Sequence, residues 1–387
     1  MNVRSTRKLR DASTEAGAAE SPAEPSRAEG LAAMLEAHRG ERHVIVLQSF
    51  PDPDAISSAL AHQMIAARYD IECEIAYDGV ISHHENVALV ELLEIALVRI
   101  DENDKGLARY KGSIFIDTQG TTSGLTKRLT NAGVPALAIV DHHEVQGIIE
   151  AEFTDIRDVG ATATIYTEYL QSGLMPLEQA DEDHARLATA LMHGLRSETA
   201  GMIHAGHEDY LAAAYLAEFV DQDTLETILS VERSRNAMEV IKTALETRTV
   251  CDNYSIAGVG FLRYEDRDAI PQAADFLLAE ENVHTAVVYG IVAKAGEREL
   301  IIGSLRTKKA TLNPDTFLKE ALGGPEPGHF YGGGRRGAGG FEIPIGFLAG
   351  DGDQEFMHGK WQLYDEQIRR KLWTKLGLQP FEQVAGE

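Results

Sequence analysis

Cysteine is almost missing. The chain has two in 387 residues, Cys73 and Cys251, far apart in sequence. Such a pair makes neither a disulfide framework nor a thiolate metal motif, and reads as two buried free thiols in a reducing, cytoplasmic setting. Long apolar runs are missing too: no stretch is long enough to span a bilayer, so no membrane partner is expected. Bases are scarce, 36 Lys and Arg against 61 Asp and Glu, for a net charge of −25. Long nucleic acid is gripped by a broad basic surface. Binding to long duplexes is therefore not expected, and any nucleic-acid ligand should be short and locally held. Large apolar residues are rare before residue 30, where Ala, Ser, Glu and Pro prevail. Residues 1–35 read as a disordered tail. Arg4, Arg7, Lys8 and Arg10 lend this tail a transit-peptide flavour, but it has no apolar core and acids follow at once, so export is not expected. There is no internal repeat.

What remains is ordinary for a folded chain: 44% hydrophobic and 25% charged residues, enough for two domains. The informative stretch is Leu137-Ala-Ile-Val-Asp141-His142-His143. A short apolar run cut off by polar residues reads as a buried strand. Ligands of open α/β sheets sit beyond the carboxyl ends of the strands. Imidazole and carboxylate there suit manganese, iron or zinc. The pattern recurs upstream. Val44–Leu47 runs into Gln48-Ser-Phe-Pro-Asp52-Pro-Asp54, and Ser113–Ile116 runs into Asp117-Thr118. Three apolar runs ending in acid would converge on one edge of a parallel sheet. A helix starting behind Asp52 and Asp54, with Ile56, Leu60, Met64 and Ala67 on one face, would also favour bound phosphate.

In order along the chain, Pro51-Asp-Pro-Asp-Ala55, Asp117-Thr118, Asp141-His-His143 and Gly332-Gly-Gly-Arg-Arg-Gly-Ala-Gly-Gly340 resemble the DHH phosphoesterase superfamily. The branch most alike is that of nanoRNase and pAp phosphatase, with a DHH-associated C-terminal domain. The resemblance covers roughly residues 40–350. It implies a two-ion manganese site, with magnesium as a substitute. Asp117 would bridge the ions, and Asp52, Asp54 and His142 would be further ligands. Asp141 would orient an imidazole, and His143 would sit near the phosphate. Ser304-Leu-Arg306-Thr307 matches a substrate-binding strand, with Arg306 and Ser304 on the ligand. In the loop, Gly332, Gly333 and Gly334 would form an anion nest beside Arg335 and Arg336.

Three positions depart from the family's pattern. Gln48 stands where a histidine is usual, and Glu198, in Gly194-Leu-Arg-Ser-Glu198-Thr199, where an aspartate is usual. Both are kept as candidate metal ligands. Arg335 replaces the histidine that follows the three glycines. The departures keep a second reading open, a nucleotide-binding regulatory protein with a degenerate metal site.

Elsewhere the patterning gives a strand at Glu72–Tyr77, a surface loop at His83-His84, and helices at 87–100, 120–129, 160–170, 184–195 and 208–220. A long helical connector runs over 223–248, followed by strands at 250–262, 285–292 and 299–305. Further helices fall at 271–280, 314–322 and 353–376. Strands alternating with helices predict a doubly wound, mainly parallel α/β sheet, then a second, smaller α/β domain, with the active site in an interdomain cleft. The expected division is a tail at 1–35, a phosphoesterase domain at 36–222, a helical connector at 223–249 and a substrate-binding domain at 250–387. The implied activity is metal-dependent hydrolysis of short oligonucleotides or small nucleotides such as pAp. Cyclic dinucleotides and polyphosphate are further substrates of the superfamily. A homodimer is compatible with all of this.

Overall fold

The computed structural model describes residues 26–81, 83–101, 103–104, 106–147, 149–293, 299–335, 337–350 and 352–378. Two compact units divide the chain, residues 1–79 with 96–221, and residues 80–95 with 222–387.

In the first unit, α1 (Arg27–Ala37) leads into β1 (Arg42–Val46), α2 (Pro53–Ala67) and β2 (Glu72–Tyr77). The helix α3 (His84–Leu92) belongs to the second unit, after which the chain resumes with β3 (Leu97–Arg99) and β4 (Gly112–Ile116). Then come α4 (Leu125–Asn131), β5 (Ala136–Asp141), β6 (Phe153–Ile156), α5 (Thr162–Gln171), α6 (Glu182–Glu198) and α7 (His207–Leu216). The six strands pair in the order β3-β2-β1-β4-β5-β6, all parallel. Val44, Ile45 and Val46 on central β1, and Leu47 just after it, are fully buried, as a parallel sheet covered on both faces requires. The order reverses between β1 and β4, the switch point where ligands of doubly wound folds bind. The segments after those two strands carry Asp52, Asp54 and Asp117.

The second unit adds α8 (Gln222–Leu229), α9 (Arg235–Thr247), β7 (Thr249–Cys251), β8 (Tyr254–Arg263), α10 (Ala269–Leu278), β9 (Thr285–Ala293) and β10 (Leu300–Thr307). It ends with α11 (Pro314–Leu322), β11 (Gly332–Arg335), β12 (Ala338–Pro344) and α12 (Gln354–Leu376). Its mixed sheet runs β11-β12-β10-β9-β8-β7, with only β8 and β9 parallel. Two apolar clusters cover it, one from α9 and α10 (Ile241, Ile270, Leu277), the other from α11 and α12 (Leu318, Leu372, Trp373).

The mixed α/β architecture is as expected, and several local expectations are corrected. Residues 27–35 are helical: a Ser26/Glu29 capping box starts α1, and Leu31, Met34 and Leu35 are buried. That stripe is too short to stand out in an Ala/Glu-rich stretch. The expectation for residues 1–25 lies outside the described residues. The helix expected over 87–100 stops at Leu92. Glu94 takes a left-handed φ of 49°, and Leu97–Arg99 pairs with β2 as an edge strand. His83-His84 is not a surface loop but the start of α3, both rings half-buried and stacked 4.5 Å apart. The connector is two helices, the second capped by Ser234. Strand β6 was not foreseen, because its buried Asp155 hides the apolar pattern.

His62 on α2 is fully buried, with Nδ1 3.0 Å from the Tyr166 hydroxyl. Burial, helped by the His43 charge, pushes its pKa down to about 3. An unfolded histidine titrates near 6.5. This contribution to stability is therefore complete above about pH 6.5 and is lost as the pH falls toward 3. At pH 5 the loss should be on the order of 2 kcal/mol. His43 is lowered by burial too and adds to it. Urea melts from pH 7 to 5 should show the decline, and His62→Gln should flatten it. An unchanged slope in that variant would refute the assignment.

Candidate metal centre

The site is built on the ends of β1, β4 and β5 and the first turn of α5. Asp52 is the N-cap of α2, its Oδ1 accepting from Ala55 N–H at 3.0 Å. Its Oδ2 accepts from the Gln48 amide at 3.0 Å. Asp54, 1% exposed, accepts from the backbone N–H groups of Thr162 and Ala163, both at 2.8 Å. Asp117 follows β4 with a left-handed φ of 57°, which a short polar side chain tolerates. Such backbone is typical of functional sites. Its Oδ1 accepts from the Thr162 hydroxyl at 2.9 Å.

Asp141, also 1% exposed, organises the two histidines. Its Oδ1 accepts from the His142 N–H at 2.8 Å and from His143 Nδ1 at 2.8 Å. Its Oδ2 accepts from Gln119 Nε2 at 2.7 Å. Burial works against its charge, but the His143 and Gln119 hydrogen bonds outweigh it and hold the carboxyl below its usual pKa. Gln119 also donates to the Glu144 carbonyl and accepts from Gln146 N–H, pinning the loop after β5.

His142 decides what the cluster is for. Its Nδ1 lies 3.1 Å from the Val159 carbonyl, which fixes the proton there. Its Nε2 is buried and has no hydrogen-bond partner. Around that bare nitrogen stand Asp117 Oδ1 at 3.5 Å, Asp54 Oδ2 at 3.8 Å and Glu198 Oε1 at 3.9 Å. One imidazole lone pair facing three carboxylate oxygens is the donor set of a divalent cation. Burial, then the neighbouring carboxylates, raise Asp54 and Asp117 well above the usual carboxyl range. Burial and His143 lower His142. Crowded, buried carboxylates beside an imidazole held neutral are an arrangement that a cation would relieve. Asp117, His142 and His143 also form a group with ligand atoms within 4.8 Å of one another. The residues fit a metal.

A second His/Glu group contrasts with it. His38 reaches Glu41 at 2.9 Å through Nδ1 and Glu152 at 3.0 Å through Nε2, and His43 Nε2 lies 3.1 Å from Glu41. Burial opposes charge on His38, but the two carboxylates outweigh it and raise its pKa. With both His38 nitrogens paired to carboxylates, this is an ion-paired clip between α1 and β1.

The structure brings the sequence candidates Asp52, Asp54, Asp117, Asp141, His142 and His143 together at and beyond the ends of β1, β4 and β5, and Glu198, also a candidate from the sequence, reaches them from the end of α6. Gln48 is set apart: it donates to Asp52. Reasoning from the sequence missed Thr162, Gln119 and the Val159 carbonyl. The second unit's candidates are arranged differently from the nest expected. Gly332, Gly333 and Gly334 are strand residues, paired with Phe341, Gly340 and Gly339. A Cβ on Gly334 would fall 2.6 Å from the Ala338 carbonyl oxygen, and one on Gly339 would fall 2.8 Å from Leu318 Cδ1. The glycines let the hairpin press onto α11. The Gly334 N–H is directed to Asp315 Oδ1 at 3.3 Å. Arg306 donates to Asp275 at 2.9 Å and to the Ser304 hydroxyl at 2.8 Å. Arg336 and the Arg335 side chain lie outside the described residues.

Comparison with known proteins agrees with this architecture. A crystal structure of an exopolyphosphatase-related protein from Bacteroides fragilis superposes with a TM-score of 0.62 over 89% of this chain and 97% of that one, at 14% identity. The chain has that protein's fold. A RecJ structure from Thermus thermophilus in complex with Mn2+ matches at a TM-score of 0.43 and 12% identity, over 89% of this chain and 59% of that one. In sequence, the chain is 37% identical over 336 residues to uncharacterized protein MJ1633 of Methanocaldococcus jannaschii. The match covers 86% of this chain but 64% of that relative, so the chain spans about two thirds of its length. No protein-family model matches the chain. No helix among the described residues is long and apolar enough to cross a membrane.

Proposed function

We propose that this chain is a metal-dependent phosphoesterase of the DHH type, acting on short oligonucleotides or small phosphorylated nucleotides. The observation that carries the reading is the unpartnered His142 Nε2 facing Asp54, Asp117 and Glu198 at the switch point of the sheet. Those four residues would hold one ion, manganese or magnesium, with Asp52 and Gln48 beside a second position. A bound divalent ion supplies an activated water at neutral pH and neutralises phosphoryl charge. The rest falls to the chain. Asp141 fixes His143 with its proton on Nδ1, leaving Nε2 as the ring atom that exchanges a proton with the leaving oxygen or the attacking water. Asp54 is kept in place by two backbone N–H groups, so it moves little when charge develops. Arg306 and Ser304 supply an anion grip in the second unit, and Arg306 exchanges Asp275 for a ligand phosphate.

The acid excess sets substrate length. Phosphates beyond the first few gain nothing from a surface of net charge −25. The test is a manganese-supplemented panel of pAp, dinucleotides, cyclic dinucleotides, polyphosphate and a long single strand, read as phosphate or mononucleotide release. Turnover should peak on pAp or a dinucleotide and fall for the long strand, whose later phosphates meet a surface of net negative charge. Equal degradation of long and short strands would overturn the length argument. Preferred release from polyphosphate would move the substrate class toward that of the exopolyphosphatase-related neighbour. One observation favours the regulatory alternative: Gln48 offers Asp52 an amide donor where the family has a ligand imidazole. Tight nucleotide binding without turnover of any panel member would select it.

A further inference from the structure

Asp209, in the first turn of α7, is fully buried, and among the described residues its oxygens bond to Gly160, Thr164 and Gly206 rather than to a lysine or arginine. A buried carboxylate without a cation is costly unless its oxygens are saturated with donors. They are. Oδ1 accepts from the Thr164 hydroxyl at 2.5 Å and the Gly160 N–H at 3.1 Å. Oδ2 accepts from the Gly206 N–H at 2.7 Å and the Gly160 N–H at 3.0 Å. The Gly206 bond alone would be an ordinary helix cap. The other contacts reach across to residues 160–164, and the segment from Val159 onward touches the metal centre at three points. Val159 accepts from His142 Nδ1. Thr162 and Ala163 donate backbone N–H groups to Asp54. The Thr162 hydroxyl donates to Asp117.

A second observation points the same way. A Cβ on Gly160 would lie 2.2 Å from Asp209 Oδ2 and 2.8 Å from Thr199 Cγ2, beside Glu198. Gly160 has no positive φ to explain its lack of a side chain. It is glycine so that the Asp209 carboxylate can reach its backbone.

We infer that Asp209 is a positioning residue for the metal centre: through Gly160 it sets the His142 tautomer and the placement of Asp54, and so governs affinity for the ion. This rests on the metal-site reading above. Outer hydrogen-bond partners of metal ligands are worth about 10–100-fold in affinity when removed. The experiment titrates Mn2+ alone into the full chain and its variants by calorimetry, and reads imidazole tautomers by nitrogen NMR on the metal-free protein.

Asp209→Asn, which turns one oxygen into a donor facing N–H or O–H groups, should weaken Mn2+ several-fold, less than the ~10–100-fold for a group bonded directly to a ligand. It should also shift His142 away from the Nδ1-protonated form. Gly160→Ala, which leaves Asp209 in place but pushes it off, should do the same. Tyr210→Phe removes another α7 tether, the hydroxyl bond to the Met202 carbonyl. It should lower the melting temperature without moving affinity or tautomer. A lower melting temperature with wild-type affinity and tautomer in both Asp209→Asn and Gly160→Ala would make Asp209 a helix cap only and overturn the inference. No Mn2+ binding by the wild-type chain would overturn the metal-site reading along with it.

Discussion

Asp117→Asn should strip the protein of tightly bound metal and lower turnover by about 10³-fold, equivalent to about 4 kcal/mol of transition-state stabilisation. The substitution keeps the shape and the bond from Thr162, so the fold should survive. It removes the negative charge of the carboxylate whose Oδ1 lies 3.5 Å from His142 Nε2 and 3.7 Å from His143 Nδ1, the one that both histidines share. The raised pKa values of Asp54 and Asp117 add a signature. Carboxyls whose pKa is raised in the metal-free protein bind a cation in competition with protons. Calorimetry in buffers of different ionisation enthalpy should therefore show proton release on Mn2+ binding, and affinity should fall as the pH is lowered. In Asp117→Asn both the heat of binding and the released proton should vanish. Unchanged stoichiometry would show that the ion is held elsewhere.

Gln48→His is the second large effect, and it runs upward. Gln48 donates its amide to Asp52 at 3.0 Å; turning the amide over would set two acceptor oxygens against each other. As it stands the side chain presents a donor to a would-be ligand. An imidazole would instead present a lone pair that suits manganese. Second-ion affinity should rise about tenfold or more, and turnover with it, since two-metal sites clamp both the attacking and leaving oxygens. The measurement is Mn2+ stoichiometry and kcat side by side. If neither moves, position 48 plays no part in holding an ion.

Asp52, Asp54, Asp117, Asp141, His142 and His143 were legible because each lies at or closely follows the end of a buried parallel strand, and strand ends are visible as an abrupt loss of apolar residues. That basis put Asp54, Asp117 and His142 on one sheet edge across nearly a hundred residues, and the resemblance to the DHH phosphoesterases supplied their roles as ligands. Thr162, Gln119 and the Val159 carbonyl were not legible, because a hydroxyl, an amide or a peptide oxygen has no spacing rule that marks it as a partner. The glycine run shows the converse. Composition gives backbone freedom at Gly332–Gly340, but only the contacts with Pro314, Leu318 and Phe341 show that the freedom serves close packing. The edge strand Leu97–Arg99 was hidden because three residues between a helix and a turn are too few to display a period of two.

The assignment of residues 80–95 to the second unit bears on how the protein can be taken apart. The backbone passes between the units three times, after Gly79, after Ile95 and after Asp221. A gene truncated at codon 221 would therefore still encode α3 but not α8, the helix it packs on, leaving the fully buried Leu89 and the nearly buried Ala88 without cover. Such a fragment should be sticky and prone to proteolysis near residue 85. A better excision replaces 80–95 with a polar bridge of about a dozen residues joining Gly79 to Ala96, long enough to cross back between the parallel β2 and β3. Conversely, supplying 80–95 as a separate peptide to the 222–387 fragment should restore a missing helix by complementation.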